Sequence, residues 1–324
     1  MLILHLKKKA YDFPSEWNEL SPEQYIYLTK LLRLYQQGIL KAGEVRVMYF
    51  LKVAGLIPRR FRKKEKEDLY SENVYRASNM IGFFFKLVYH NQKAFDNLDP
   101  ELQKLILRTD PDDLPDKPEI RAARKLNRHL EVDAIFPNNL LPVLPGTKLK
   151  GFRFNLDNEF LDTSITASQY VDAYSVFEVW AERNDRNSLN LMAAILYQGD
   201  SYSSKKAHEQ LPIIEKLPED VKYGVMLNFM AIHLFMSKRT KYAILFSGTG
   251  SDKKGKISLG FHDSIYSLIK AGYGDVENDN LVKFLDLMLK ELKDSVKALH
   301  DMDMKLDEIA SKTKLTALQV KSLI

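Results

Sequence analysis

Seven histidines punctuate the chain: His5, His90, His129, His208, His233, His262 and His300. Histidine titrates nearest neutral pH and is the commonest metal ligand, so its spacing bears first on any chemistry. No two of the seven stand as HxH or HExxH, the spacings that turn two imidazoles toward one zinc ion. His233 lies among Met230, Ile232, Leu234 and Phe235, which predicts a hydrogen-bonded residue of the core or its boundary. His262-Asp263-Ser264 sets the three residue types of a hydrolase triad side by side. A working triad is assembled in space, around a strained nucleophile turn and oxyanion donors, and neither is signalled here. Asp112-Asp113 and the pair Asp301 and Asp303 are candidate acid–base carboxylates. General acid catalysis needs one carboxyl taken out of water to raise its pKa. These pairs lie in a proline-bounded loop and at a helix end, where water stays.

Phosphate chemistry has one candidate. Gly250-Ser251-Asp252-Lys253-Lys254-Gly255-Lys256 reproduces the start of a phosphate-binding loop and follows the apolar run Ala243–Phe246. The motif then needs a Ser or Thr hydroxyl for magnesium and a helix whose amides face the phosphate. Position 257 is Ile, and Ser258-Leu259-Gly260-Phe261 does not read as a helix. The expectation is a charged, glycine-rich surface loop or hairpin between Tyr242–Phe246 and Lys256–Phe261. The chain has no cysteine, which excludes disulfides, a thiolate nucleophile and Cys-ligated zinc. The residues therefore predict no catalytic group, no metal site and no cofactor.

Two segments suggest contact with a macromolecule instead. Arg59, Arg60, Arg62, Lys63 and Lys64 crowd five cations into six positions, enough to meet phosphate or an acidic protein face. Glu65 and Glu67 follow at once, so the field is local, and a solvated inter-helix loop explains the run more simply. Leu306–Ile324 resembles the helix-turn-helix sequences of bacterial regulators. Ile309 and Ala310 would pack the first helix, Leu315 would sit in the turn, and Val320 and Leu323 would hold the second. Thr316, Gln319 and Lys321 are then the candidate DNA contacts, on a face that also carries Ala317 and Ser322 and lacks arginine. The same helix pair also serves elsewhere as a packing or dimerisation unit.

The elements that must position these residues read as mainly α, in two helical lobes joined by a Pro-rich segment, with at most a few short strands. Only 14 glycines and 12 prolines in 324 residues leave few turns for a strand-rich fold. Hydrophobic residues at 45% and charged residues at 28% suit a globular chain, and a net charge of +5 is compatible with nucleic-acid contact but does not argue for it. Residues 1–135 are expected to form the N-terminal lobe. Residues 136–164 make a Pro/Gly-rich connector with a strand near Lys148–Leu156. Residues 165–303 form the second lobe, and 304–324 the terminal helix pair. Ser21-Pro22-Glu23-Gln24 and Thr166-Ala167-Ser168-Gln169 are capping boxes that open helices. Glu67–Gln92, rich in Met80, Phe83, Phe84 and Phe85, reads as a buried central helix, and Glu119–Leu130 as another helix. Met1–Pro14 places its apolar run before its charges, the reverse of a secretion signal. No apolar stretch approaches the roughly 20 residues that cross a bilayer, so no membrane contact is expected.

Phe13-Pro14-Ser15-Glu16-Trp17-Asn18-Glu19-Leu20-Ser21-Pro22-Glu23-Gln24-Tyr25 can be set beside Ile165–Tyr174 and Leu191–Tyr197. Together they resemble uncharacterised proteins from the structural-gene regions of tailed phages and prophages of Bacteroidetes-type hosts. The resemblance touches the first third and the middle of the chain. It implies a non-enzymatic virion or tail-assembly component in the host cytoplasm or the particle. Its implied partners are other protein subunits, among them tail or tape-measure proteins, and further copies of itself; nucleic acid stays open. Trp17, Tyr25, Phe152 and Tyr170 would be anchors of the fold, and no catalytic residue carries over. The alternative is a DNA-binding regulator that uses the terminal helix pair.

Overall fold

Ser21 shows how local chemistry starts an element. In the computed structural model its hydroxyl accepts the Gln24 N–H at 3.2 Å, and Gln24 accepts the Ser21 N–H at 3.0 Å, so two donors that the helix leaves orphaned are satisfied reciprocally. The structure describes residues 1–6, 9–56, 64–89, 92–108, 128–157, 160–199, 201–247 and 257–324. The fold is mainly α with short antiparallel strand pairs, and the chain divides into two compact units, Met1–Ala134 and Ile135–Ile324.

In the first unit β1 (Leu2–Leu6) and β2 (Lys9–Phe13) form a hairpin, with Leu2 opposite Phe13. Helices α1 (Pro22–Gln36), α2 (Ala42–Val53) and α3 (Lys64–Ser78) follow. Tyr25, Leu28, Leu31 and Leu32 of α1 and Val45, Tyr49 and Phe50 of α2 are buried at helical spacing. Phe13 stacks on Phe50 with ring centres 5.0 Å apart. Trp17 is buried and donates its indole N–H to the Asp133 carbonyl at 2.7 Å.

The expected helix over Glu67–Gln92 is corrected. It stops at Ser78, and β3 (Phe85–Tyr89) pairs with β4 (Arg128–Val132). Three consecutive phenylalanines on a helix would point about 100° apart, toward three different surroundings. Here Phe83 meets Trp17 at 5.6 Å, Phe84 meets Tyr49 at 5.8 Å and Phe85 meets Tyr35 at 4.9 Å. Packing of the three rings, Phe84 and Phe85 buried and Phe83 half-buried, overrides helix propensity. The helix expected at Glu119–Leu130 is corrected likewise: its last residues belong to β4, and 119–127 lie outside the described residues. Between the strands run α4 (Gln92–Asp96) and α5 (Pro100–Arg108).

The second unit begins with irregular chain tied down by amides. Asn139 donates to the Phe152 carbonyl at 2.7 Å and accepts the Leu141 N–H at 2.9 Å, while Asn228 accepts the Leu140 N–H at 2.9 Å. Gly151 is required there, because a Cβ would lie 2.9 Å from the Tyr197 ring and 3.3 Å from the Leu141 carbonyl oxygen. The strand expected at Lys148–Leu156 starts later, as β5 (Phe154–Asp157), and pairs with β6 (Phe160–Thr163).

Helices α6 (Ala167–Arg183), α7 (Arg186–Leu196), α8 (Ser204–Ile214), α9 (Glu219–Arg239), α10 (Ala243–Ser247), α11 (Ile257–Lys270) and α12 (Leu281–Asp301) build the bundle. The pair α13 (Leu306–Thr313) and α14 (Ala317–Leu323) closes it. At α6 the capping box is half formed: Thr166 caps the Gln169 N–H at 3.2 Å, but the Gln169 side chain donates to the Ile195 carbonyl at 2.8 Å. That amide is buried and holds α6 to α7, which takes precedence over the cap.

Of the hairpin or surface loop expected between Tyr242–Phe246 and Lys256–Phe261, the hairpin is corrected, because both flanks are helical; residues 248–256 lie outside the described residues. α10 precedes the glycine-rich stretch and α11 follows it. Phe261, Ile265 and Leu268 are buried at helical spacing, and that stripe carries the chain through Gly260.

Candidate functional site

The groups with the most reaction-like surroundings lie on α6, α9 and α11. α6 places Tyr170 and Tyr174, one turn apart, against His233 of α9. The Tyr170 hydroxyl and His233 Nδ1 are 2.7 Å apart, and the Tyr174 ring lies 4.5 Å from the imidazole. Phe246 closes edge-on at 5.4 Å, and Phe229 and Phe261 pack on Tyr170. His233 is 6% exposed. Burial, with a smaller contribution from Lys238, pulls its pKa down to about 4. Burial likewise pushes Tyr170 well up and Tyr174 to about 12. All three are neutral at physiological pH and bonded or stacked to each other. They form a packing cluster, as the apolar neighbours of His233 predict.

Asp172, also on α6, accepts the Tyr202 hydroxyl, and His262 Nε2 stands 3.9 Å from its other oxygen. Burial and this carboxylate raise the Tyr202 pKa. The adjacent triad types do not assemble. His262 turns toward Asp172, whereas the Ser264 hydroxyl donates to the Gly260 carbonyl at 2.8 Å. Successive helix residues diverge by about 100°, so adjacency on α11 separates the three groups. Among the described residues, no cluster of three or more His, Asp or Glu side chains is arranged to hold a metal ion.

Concavities lined by described residues lie on the surface of the second unit, and two of them bear on function. The first, about 620 Å³, lies between the β5–β6 hairpin, the end of α9 and the start of α12. Leu156, Phe160, Leu161, Phe235 and Val282 give it apolar walls. Its polar end holds Arg239, Lys241, Tyr242 and Asp286. Asp286 is already engaged by the Tyr242 hydroxyl at 2.9 Å and Lys241 Nζ at 2.6 Å, and burial with this contact raises the Tyr242 pKa. Phe160 stands at the mouth, 81% exposed.

The second, about 430 Å³, is a groove along α11 and α12. Ser264, Ser267, Leu268 and Ala271 line one side, and Met288, Glu291, Leu292 and Ser295 the other. Each set follows i, i+3, i+4, i+7 spacing, one face of a helix. Ile244 and Leu245 also line it, with Thr313 and Leu315 of the terminal segment.

The terminal pair packs by Ile309, Leu315 and Val320 against Val296 of α12. Lys314 forms the turn with a left-handed φ of 57°. Of the candidate DNA contacts, Thr316 and Gln319 close a capping box at 2.8 and 3.2 Å, and Lys321 is exposed. The open face of α14 is led by Leu318, 81% exposed.

Of the candidate anionic-partner contacts, Arg59, Arg60, Arg62 and Lys63 lie outside the described residues, and Lys64 opens α3. His90, Asp112-Asp113 and Gly250–Lys256 also lie outside them. The phosphate motif is preceded by a helix where it needs a strand. Sequence reasoning missed Phe160, Arg239, Lys241 and the Ser264–Ala271 stripe. The stripe's helical period was a usable signal; the convergence of the others is tertiary.

Among the described residues no helix is long and apolar enough to cross a membrane. Comparison of the chain with family models, curated proteins and solved structures gives no match.

Proposed function

We propose that this chain is a non-enzymatic interaction protein, a structural or tail-assembly component of a tailed phage or prophage. The observation that carries the reading is Phe160, an aromatic ring left in water beside an apolar cavity. Burying such a side chain against a partner is worth about 1.5–3 kcal/mol, and aromatic anchors in desolvated pockets dominate interface energetics. Arg239, beside the Lys241–Asp286 pair, favours a partner face whose apolar anchor is flanked by a carboxylate. By contrast, the groups with the strongest pKa shifts are spent on packing or on each other, as at Tyr170–His233 and Tyr202–Asp172. The assignment to a tail system follows from the resemblance of Phe13–Tyr25, Ile165–Tyr174 and Leu191–Tyr197. Deleting the gene from a prophage-bearing host tests it: induced lysates should lack complete tails by electron microscopy. Normal tailed particles would overturn it.

The DNA reading draws on the α13–α14 packing about the Lys314 turn. Against it, two of its three contact side chains serve the helix cap, and the open face is led by leucine. Salt-dependent duplex binding that vanishes when residues 304–324 are removed would favour it.

A further inference from the structure

The groove along α11 and α12 has a defined chemistry. Leu268, Met288 and Leu292 supply its apolar lining, and Ser264, Ser267, Ala271 and Ser295 beside them are small enough for a backbone to approach closely. Asp263 and Glu291 are the charged side chains that line it, and Glu291 is fixed by the Tyr273 hydroxyl at 2.6 Å. The occupant this selects is a short helical ridge with an apolar knob and cations a turn away. α14 offers that ridge: Leu318 is 81% exposed, and Lys314 and Lys321 flank it in exposed positions. Met302 and Ile324, also largely exposed, add apolar surface to the same terminal segment.

Knob and groove are neighbours. Thr313 and Leu315, which line the groove, lie a few residues before Leu318. A surface carrying a hole and its complementary knob side by side is self-complementary under a two-fold axis, the arrangement of an isologous dimer. We propose that the chain forms a symmetric homodimer in which Leu318 of each copy enters the α11–α12 groove of the other, with Lys314 and Lys321 facing Asp263 and Glu291. Charge complementarity picks a second copy over an acidic helix, which the two carboxylates would repel. The dimer leaves the Phe160 cavity to other partners, so it stands or falls separately from the assembly reading.

Sedimentation velocity on the full chain tests it. The wild type should sediment as a concentration-dependent dimer, weakened by salt, and Leu318→Asp should weaken the dimer more than about tenfold. Two charge-reversed proteins give the sharper test: Lys314→Glu with Lys321→Glu, and Asp263→Lys with Glu291→Lys. Each alone sets like charges in both contacts and should be monomeric. Their equimolar mixture restores opposite charges in both contacts and should dimerise. Far-UV circular dichroism confirms that each variant is folded. A monomeric wild type, a dimer indifferent to Leu318→Asp, or a mixture that stays monomeric would overturn the proposal.

Discussion

Around His233 the residue types suited to chemistry are packed ring against ring and closed to water, whereas the α11–α12 groove is lined by buried and half-buried Leu and Met with largely exposed Ser and Ala and two carboxylates beside them. A buried polar pair that satisfies itself fixes which packing the core adopts, because any rearrangement orphans both members. An apolar groove beside an exposed leucine contributes nothing to the monomer that a partner would not improve. The two regions lie in one unit and separate the work: the first holds α6 to α9, and the second is open to another molecule.

The largest effect expected from breaking this contrast is in the cluster. Tyr170→Ala removes a fully buried ring and strands the His233 nitrogen, at a cost of about 3–5 kcal/mol in urea unfolding. A loss under about 1 kcal/mol would mean that the ring is not part of the packing.

The pH dependence comes next. His233 titrates at about 4 in the folded chain against an ordinary value of 6.5. Between these values the unfolded chain holds more protons, so the His233 contribution is complete above 6.5 and drains away as pH falls toward 4. The full span is about 3 kcal/mol. His233→Phe should flatten that part of the stability profile measured by denaturant unfolding.

Smaller, and confined to the other region, is the cap of α14. Thr316→Ala should cost about 1 kcal/mol. It should speed amide exchange in residues 317–323 and leave protection around His233 unchanged. Smallest in stability is Leu318→Asp. In the monomer the side chain is in water already, so unfolding measured at concentrations where the wild type is monomeric should shift by less than about 0.5 kcal/mol, while self-association at higher concentration is weakened more than about tenfold. That dissociation of stability from association sharpens the comparison most.

What was legible in the sequence was local. Ser21 announces its helix because a cap needs only four consecutive residues, and its box forms in full. Thr166 announces its helix too, but Gln169 is claimed by α7, a contact 26 positions away. His233 reads as core because its helical neighbours are apolar. Phe83-Phe84-Phe85 misleads because three rings suit a buried helix as well as a strand, and only Trp17, Tyr49 and Tyr35 decide between them. α11 misleads because Gly260 and a glycine-rich stretch precede a stripe that becomes visible only from Phe261 onward. α8 carries Pro212 inside it and few buried residues, so its period is weak. The cavity at Phe160 draws on three elements spread over residues 156–286, beyond any motif.

The most direct test of the central claim sets an apolar surface residue against the Tyr202–Asp172 pair in one experiment. Affinity capture from the native host, with partners quantified by mass spectrometry, should compare wild type, Phe160→Asp and Tyr202→Phe. We predict a stoichiometric protein partner with wild type and Tyr202→Phe that is absent with Phe160→Asp. Retention of the partner by Phe160→Asp, or small-molecule turnover by the purified chain that Tyr202→Phe abolishes, would contradict the account.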